Sequence, residues 1–392
     1  MTRAVPPKTR PHVAQVVLWL GRGGLESMAV HLAINLAKRG FPSSIIALDE
    51  GGEHEDMLRA AGVDYHIVGR KSFRTLRYHT DMRALLRRTG IDVLHTHNLS
   101  PLLRVLPGAK LAGVRRIVHT EHGPAYMDDR RDLRRMLRLA SRFVGRFVLV
   151  GNRLRPYYTD RVGIPSDQMT VIPNGIDIER FVPDTPAAEA RAALGLPAGF
   201  LIGSAGRLTW EKNFTLLLQG VHSARQRGLE VHLALMGDGT QRSELEALAS
   251  SLGIRDAVTF LGWRTDTDRI LPLLDAYVVS SASEGLPLAV LEAMACAIPV
   301  LSTPVGEMPV LLGDGAAGEL YAPDPDALAS LLVRTARNEK ERRQRGQAAR
   351  ALATRQYSAA AMVDAYVGAY VVPPGSTRLQ AGEPVGPPAL ER

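Results

Sequence analysis

The sequence predicts an α/β fold of two successive domains, each a doubly wound parallel sheet with helices on both faces. Three observations carry that prediction. Apolar runs of strand length alternate with helical patterns, twice along the chain. The 392 residues are more than one hydrophobic core comfortably serves. A turn signal, Pro173-Asn174-Gly175, followed by Pro183 and Pro186, separates the two alternating runs.

In the first run Val13–Trp19, Ser44–Leu48, Val93–His97, Arg116–Thr120, Phe147–Gly151 and Thr170–Ile172 read as strands, with helices such as Leu25–Lys38 and Thr80–Arg88 between them. In the second run the strands are Phe200–Ala205, Val231–Met236, Val258–Leu261, Ala276–Ser280 and Val300–Ser302. Helices are expected at Lys212–Arg227, Arg242–Ser251, Pro287–Ala297 and Asp326–Arg337. The expected domains are 1–175 and 176–355. A terminal helix, 356–372, carries Tyr357, Met362, Tyr366 and Tyr370 at roughly helical spacing, and prolines and glycines make 373–392 a disordered tail.

Composition narrows the function classes. Hydrophobic residues at 45% and charged residues at 22% are ordinary for a globular enzyme. The single cysteine, Cys296, excludes an intrachain disulfide and fits a reducing compartment. No run of about 18 apolar residues is present to span a bilayer, and the segment through Val13–Leu20 lacks a signal-peptide cleavage site. A cytoplasmic protein is expected. The formal net charge of +8 implies a polyanionic partner. Much of it lies in Arg130, Arg131, Arg134, Arg135, Arg138, Arg142 and Arg146, which alternate with Leu133, Met136, Leu137, Ala140, Val144 and Phe147 on a helical period. Two readings stay open: a core-facing helix with a solvated outer face, or a helix resting on anionic lipid headgroups, peripheral to the membrane. Nucleic acid is not expected as a partner, because no binding motif is present and aromatics make up only 5%.

Three glycine-bearing clusters carry chemistry. Gly21-Arg22-Gly23-Gly24-Leu25-Glu26 follows the first strand and opens a helix, so Gly23 and Gly24 would let the backbone approach a phosphate. Glu26 stands where a nicotinamide-binding fingerprint needs its third glycine, which argues against a dehydrogenase; a plain tight turn is the other reading. The second cluster, Gly203 through Asn213, places Arg207 and Lys212 at the carboxyl edge of a sheet. Two cations there would stabilise a bound pyrophosphate and the charge that grows on it. The third, Ser283-Glu284-Gly285-Leu286-Pro287-Leu288-Ala289-Val290-Leu291-Glu292, sets seven residues between two glutamates. Pro287 suits the first turn of a helix, the amides from Gly285 to Leu288 (proline excepted) would face a ligand anion, and Glu292 stands in an apolar stretch where ribose hydroxyls would satisfy it.

Taken together these motifs resemble family 4 of the retaining glycosyltransferases, with the architecture of two Rossmann-like domains called GT-B, over nearly the whole chain. The resemblance implies that Arg207 and Lys212 grip the donor pyrophosphate, that Glu284 and the backbone of Gly285, Leu286, Pro287 and Leu288 meet the transferred sugar and phosphate, and that Glu292 holds the ribose. It implies that the segment ending in Trp263 and Arg264 reads the base through its backbone, that His122 points toward the transferred sugar, and that the terminal helix 356–372 crosses back onto the first domain. Catalysis would rest on His122, Glu284, Arg207 and Lys212 without a cofactor or metal. His95 and His97 lack further ligands at metal spacing, and Asp266-Thr267-Asp268 begins a helix past the sheet edge. The partners implied are a nucleotide-sugar donor, UDP- or GDP-linked, and a glycan, lipid-linked or small-molecule acceptor. Arg70, Lys71, Arg74 and Arg77 hint at an anionic or lipid-linked one. A sugar-nucleotide epimerase of the same fold, a glycoside hydrolase and a silent nucleotide-sugar-binding protein are the competing classes.

Overall fold

A computed structural model describes residues 10–69, 74–183 and 188–371. Arg70, Lys71 and the tail 373–392 lie outside the described residues. The strands are β1 (Val13–Trp19), β2 (Ser43–Glu50), β3 (Asp64–Ile67), β4 (Val93–His97), β5 (Arg116–Glu121), β6 (Arg146–Leu149) and β7 (Met169–Val171). They form one parallel sheet in the order β3-β2-β1-β4-β5-β6-β7. A second parallel sheet holds β8 (Phe200–Ala205), β9 (Val231–Met236), β10 (Val258–Gly262), β11 (Ala276–Val279), β12 (Val300–Ser302) and β13 (Gly318–Leu320), in the order β10-β9-β8-β11-β12-β13. Burial explains the composition of the central strands. With helices on both faces there is no wet side, and Val13, Ala14, Val16 and Val17 of β1 are all fully covered.

Each sheet starts in its middle, winds one way, then crosses and winds the other. The reversal falls between β1 and β4 in the first sheet and between β8 and β11 in the second. Loops leaving the carboxyl ends of those pairs part there and open the crevice in which doubly wound folds hold ligands. The glycine loop after β1, Asn98 after β4, the loop after β8 and the loop after β11 all emerge at these points.

The terminal helix Ala359–Val371 belongs spatially to the first sheet. Its Met362, Val363, Tyr366, Ala369 and Tyr370 share one apolar cluster with Val13, Met28, Val93, Val118, Val148 and Ile172. The crossover is tight: Ile176 bridges Ser358, and a Cβ on Gly175 would lie 2.5 Å from the Ser358 carbonyl oxygen.

Several helices depart from their expected starts. The helix expected at Thr80–Arg88 runs Leu76–Thr89. The helix expected from Lys212 begins at Phe214 instead. Lys212 closes a separate short turn, Trp210–Lys212, and Asn213 at φ 46° breaks the two apart. Pro287 caps the helix Leu288–Ala295 rather than sitting in its first turn, with extended backbone at φ −68°, ψ 131°.

Candidate active site where the two sheet edges meet

The loops of the two sheets touch at several named points. A Cβ placed on Gly285 would fall 2.0 Å from the carbonyl oxygen of His122, so only glycine permits this approach of backbone to backbone. Asn174 Nδ2 donates to the Leu286 carbonyl at 2.7 Å. Glu307 Oε1 accepts from the Arg153 amide at 2.6 Å. The Arg22 guanidinium lies 5.6 Å from the ring centroid of Trp263.

At the mouth of the helix Leu288–Ala295, Lys212 Nζ donates to Glu284 Oε1 at 2.6 Å, and Ser281 Oγ donates to the same oxygen at 2.6 Å. The loop is braced from behind, where the Gly285 carbonyl accepts from the Glu307 amide at 3.0 Å. The amides of Gly285, Leu286 and Leu288 donate no hydrogen bond among the described residues. Arg207 is exposed and makes no hydrogen bond or ion pair among them. It faces Glu26 of the first glycine cluster, whose carboxyl burial raises and Arg207 draws back down. Gly23 and Gly24 open the helix Gly24–Lys38, Gly23 as its cap, and a side chain at Gly23 would run into Glu26.

Glu292 lies further down its helix, and its carboxyl has no hydrogen-bond partner among the described residues. Burial pushes it up to about 7, with Arg180 pulling it down and Asp268 pushing it up. His122 is held by its backbone amide, which donates to Asn98 Oδ1 at 3.1 Å, and its ring lies 3.1 Å from His97 through Nε2 and Nδ1. Burial and the neighbouring His119 push it down to about 3. Arg264 spends both arms on Asp266, at 2.8 and 2.6 Å, so its guanidinium is committed within its own loop. Trp263 buries an indole N–H without a partner. Asp268 pairs with Arg180 at 2.6 Å, and among the described residues no three His, Cys, Asp or Glu side chains are grouped so as to hold a metal ion.

The structure therefore brings Lys212, Glu284, Gly285 and His122 together. It sets Arg207 beside Lys212's loop and leaves Glu292 deeper on the same helix. Sequence reasoning missed Glu307, Asn174 and Asn98. The signal for Glu307 was the pair Gly306-Glu307 just past a strand's carboxyl end. Asn174 stood within the turn signal itself.

Two family models match the chain: "Glycosyltransferase Family 4" over residues 22–180 and "Glycosyl transferases group 1" over residues 188–352. Together they take in both sheets except β1, and the site residues from Arg22 to Glu307. The chain belongs to the family 4-type glycosyltransferases. This glycosyltransferase is 28% identical over 227 residues to the Escherichia coli UDP-Gal:alpha-D-GlcNAc-diphosphoundecaprenol alpha-1,3-galactosyltransferase, a stretch covering 55% of this chain and 59% of that one. It is 27% identical over 329 residues to a GDP-mannose-dependent alpha-(1-6)-phosphatidylinositol monomannoside mannosyltransferase of Mycolicibacterium smegmatis, covering 79% and 84%. Its fold is that of Anabaena HepE in complex with UDP-glucose, at a TM-score of 0.82 and 20% identity, over 92% of this glycosyltransferase and 99% of that chain.

Proposed function

We propose that this glycosyltransferase moves a hexose or N-acetylhexosamine from a UDP- or GDP-linked donor to a glycan or lipid-linked acceptor. Transfer proceeds with retention at the anomeric carbon and without a metal ion, in the assembly of a cell-surface polysaccharide or glycolipid. The observation that carries the reading is the mouth of the helix Leu288–Ala295. Lys212, an Arg207 that makes no hydrogen bond or ion pair among the described residues, and three amides that donate no bond among them gather on one side of a doubly wound crevice. That array matches a diphosphate and the charge it gains on leaving.

In the step proposed, the bond from the anomeric carbon to the phosphate oxygen breaks and its electron pair leaves with the diphosphate. The acceptor oxygen bonds the same face of that carbon, and its proton passes to the departing phosphate oxygen. Glu284 is held by Lys212 and Ser281, which suits orientation of the sugar better than nucleophilic attack. His122 is neutral across the physiological range and likewise orients. Glu284 stands on the loop before the helix Leu288–Ala295 and is paired with Lys212, while Glu292 lies within that helix in a desolvated setting; surroundings so different disfavour the hydrolase reading. The names of the two relatives, one UDP-Gal and one GDP-mannose-dependent, both with lipid-borne acceptors, support the donor and acceptor classes. Lys212→Ala is expected to cut turnover by about two to three orders of magnitude, measured on the nucleotide sugar that most raises the melting temperature. EDTA is expected to leave the wild-type rate unchanged. Full turnover in the variant overturns the assignment.

The lipid side of the proposal rests on the helix Arg131–Ser141. It buries Leu137 and Ala140 yet leaves Met136, Leu139 and the following Phe143 exposed, at 42%, 59% and 48%, and Leu111 on the helix packed against it is exposed too. Arg131, Arg135, Arg138 and Arg142 stand exposed among them. A helix serving only the core would not present that apolar face; one lying on anionic headgroups, on the inner face of the cell membrane, would. No helix among the described residues is long and apolar enough to cross a membrane. Cosedimentation with vesicles containing an anionic phospholipid is expected to fall at least tenfold in Leu139→Asp/Phe143→Asp, since each replacement forfeits apolar burial and adds a like charge. Equal binding by variant and wild type removes the lipid reading.

A further inference from the structure

A line of hydrogen bonds runs from the last helix of the chain to the cleft. Tyr370 Oη lies 2.7 Å from His95 Nδ1 and accepts from Gln15 Nε2 at 3.4 Å. Gln15 Oε1 lies 2.9 Å from His97 Nε2, and His97 Nδ1 lies 3.1 Å from His122 Nε2. At the far end His95 Nε2 meets Thr120 Oγ1 at 2.8 Å, and Thr120 meets Tyr366 Oη at 3.1 Å. Gln15, His95, His97 and Thr120 are sealed from solvent.

The chemistry of each group fixes its neighbour. An amide oxygen only accepts, so His97 Nε2 carries a hydrogen. Burial drives His97 to its neutral form, which leaves its Nδ1 bare. A bare Nδ1 must accept, so the hydrogen between the two rings belongs to His122 Nε2. In a neutral imidazole the remaining nitrogen is then an acceptor. Among the described residues His122 Nδ1 has no hydrogen-bond partner, and it is not one of the fully covered polar atoms left unpaired, so it keeps contact with solvent. The ring's frame is fixed as well. Asn98, which holds the His122 amide, sits at φ 62°, ψ 167°, a conformation that non-glycine residues seldom keep.

We propose that Gln15, His97 and Tyr370 are positioning residues for sugar transfer: they hold His122 in its Nε2–H tautomer, so that Nδ1 meets the donor as a hydrogen-bond acceptor for a hydroxyl of the transferred sugar. The proposal rests on the donor-site reading given above. It assigns a role in transfer to the terminal helix, which touches the sugar nowhere in this chain of contacts. It also explains why the polar ends of Tyr370 and Gln15 are buried side by side.

The test is nitrogen NMR of the full chain labelled at histidine, where protonated and bare ring nitrogens resonate far apart, with His122 assigned from its loss in His122→Asn. Wild type is expected to show a single His122 tautomer with the hydrogen on Nε2. Gln15→Leu removes the acceptor that His97 needs, and Tyr370→Phe removes one hydroxyl while keeping the ring. Each is expected to admit the second tautomer and to lower kcat/KM for transfer about tenfold, the loss of one hydrogen bond, with circular dichroism unchanged. Hydrogen found on His122 Nδ1 in wild type, or a tautomer indifferent to both variants, overturns the proposal. Titration with UDP-glucose and GDP-mannose separates it from the reading beneath it. A locked tautomer whose Nδ1 signal no nucleotide sugar disturbs overturns the donor-site reading and the sugar contact, while the locked tautomer itself remains.

Discussion

Glu292 shows what a single carboxyl gains and loses by its position. Desolvated, and without a hydrogen-bond partner among the described residues, its carboxyl rises from 4.5 to about 7. Below pH 4.5 both folded and unfolded chains hold the proton and nothing is lost. Between 4.5 and 7 the unfolded chain releases it first, so stability falls as pH rises, and above 7 the loss is complete. Partial exposure limits that loss to roughly 3 kcal/mol. Urea unfolding of Glu292→Gln without ligand is therefore expected to be flatter than wild type between pH 4.5 and 7, and more stable above 7; parallel curves would refute the desolvated carboxyl. The isolation of Glu292 was legible in the sequence, since no other charge stands between Glu284 and Glu307. The pairing of Glu307 with Arg153 was not. Those residues lie 154 positions apart, and no local pattern records such a distance.

Among the elements, the loop Ser283–Pro287 is the most constrained. Gly285 abuts His122 on one side, and Gly306, at φ 51°, sits 2.3 Å by a hypothetical Cβ from the Gly285 carbonyl on the other. Gly285→Ala has to push one sheet edge away from its opposite. Transfer is expected to fall about a hundredfold, as misplacement by an ångström does elsewhere, while small-angle scattering reports a larger radius of gyration. An active, compact variant would contradict the contact. The central strands were readable from their apolar runs, and β1, β4, β8, β9 and β12 have the predicted bounds. The edge strands β3 and β13 were not anticipated, because Asp64-Tyr65-His66-Ile67 and Gly318-Glu319-Leu320 are short, half-exposed and partly polar. The helix Leu99–Ala112 was hidden by Pro101, which its first turn tolerates, and by Pro107 in its interior. The helix Glu339–Gln356 buries only Gly346, Ala349 and Ala353, too small a stripe to show as periodicity.

At the scale of the molecule, two doubly wound sheets with facing carboxyl edges followed directly from the twice-repeated alternation of strands and helices. What the alternation does not encode, and only the family resemblance implied, is that the first half borrows its last helix from residues Ala359–Val371. A chain ending at Tyr357 leaves Val13, Met28, Val93, Val118, Val148 and Ile172 without Tyr366 and Tyr370 over them. It is expected to bind a hydrophobic dye strongly and to melt at least 10 °C lower, several buried side chains' worth of stability; a wild-type melting curve would refute the dependence. The same borrowing sets a timetable during synthesis. Ile172 and Val371 are separated by about 200 residues, which a ribosome adds in roughly 10–40 s. For that interval the nascent first half carries a bare apolar face, so a chaperone has a window in which to cover it, and the site can be assembled only once the last helix has been translated.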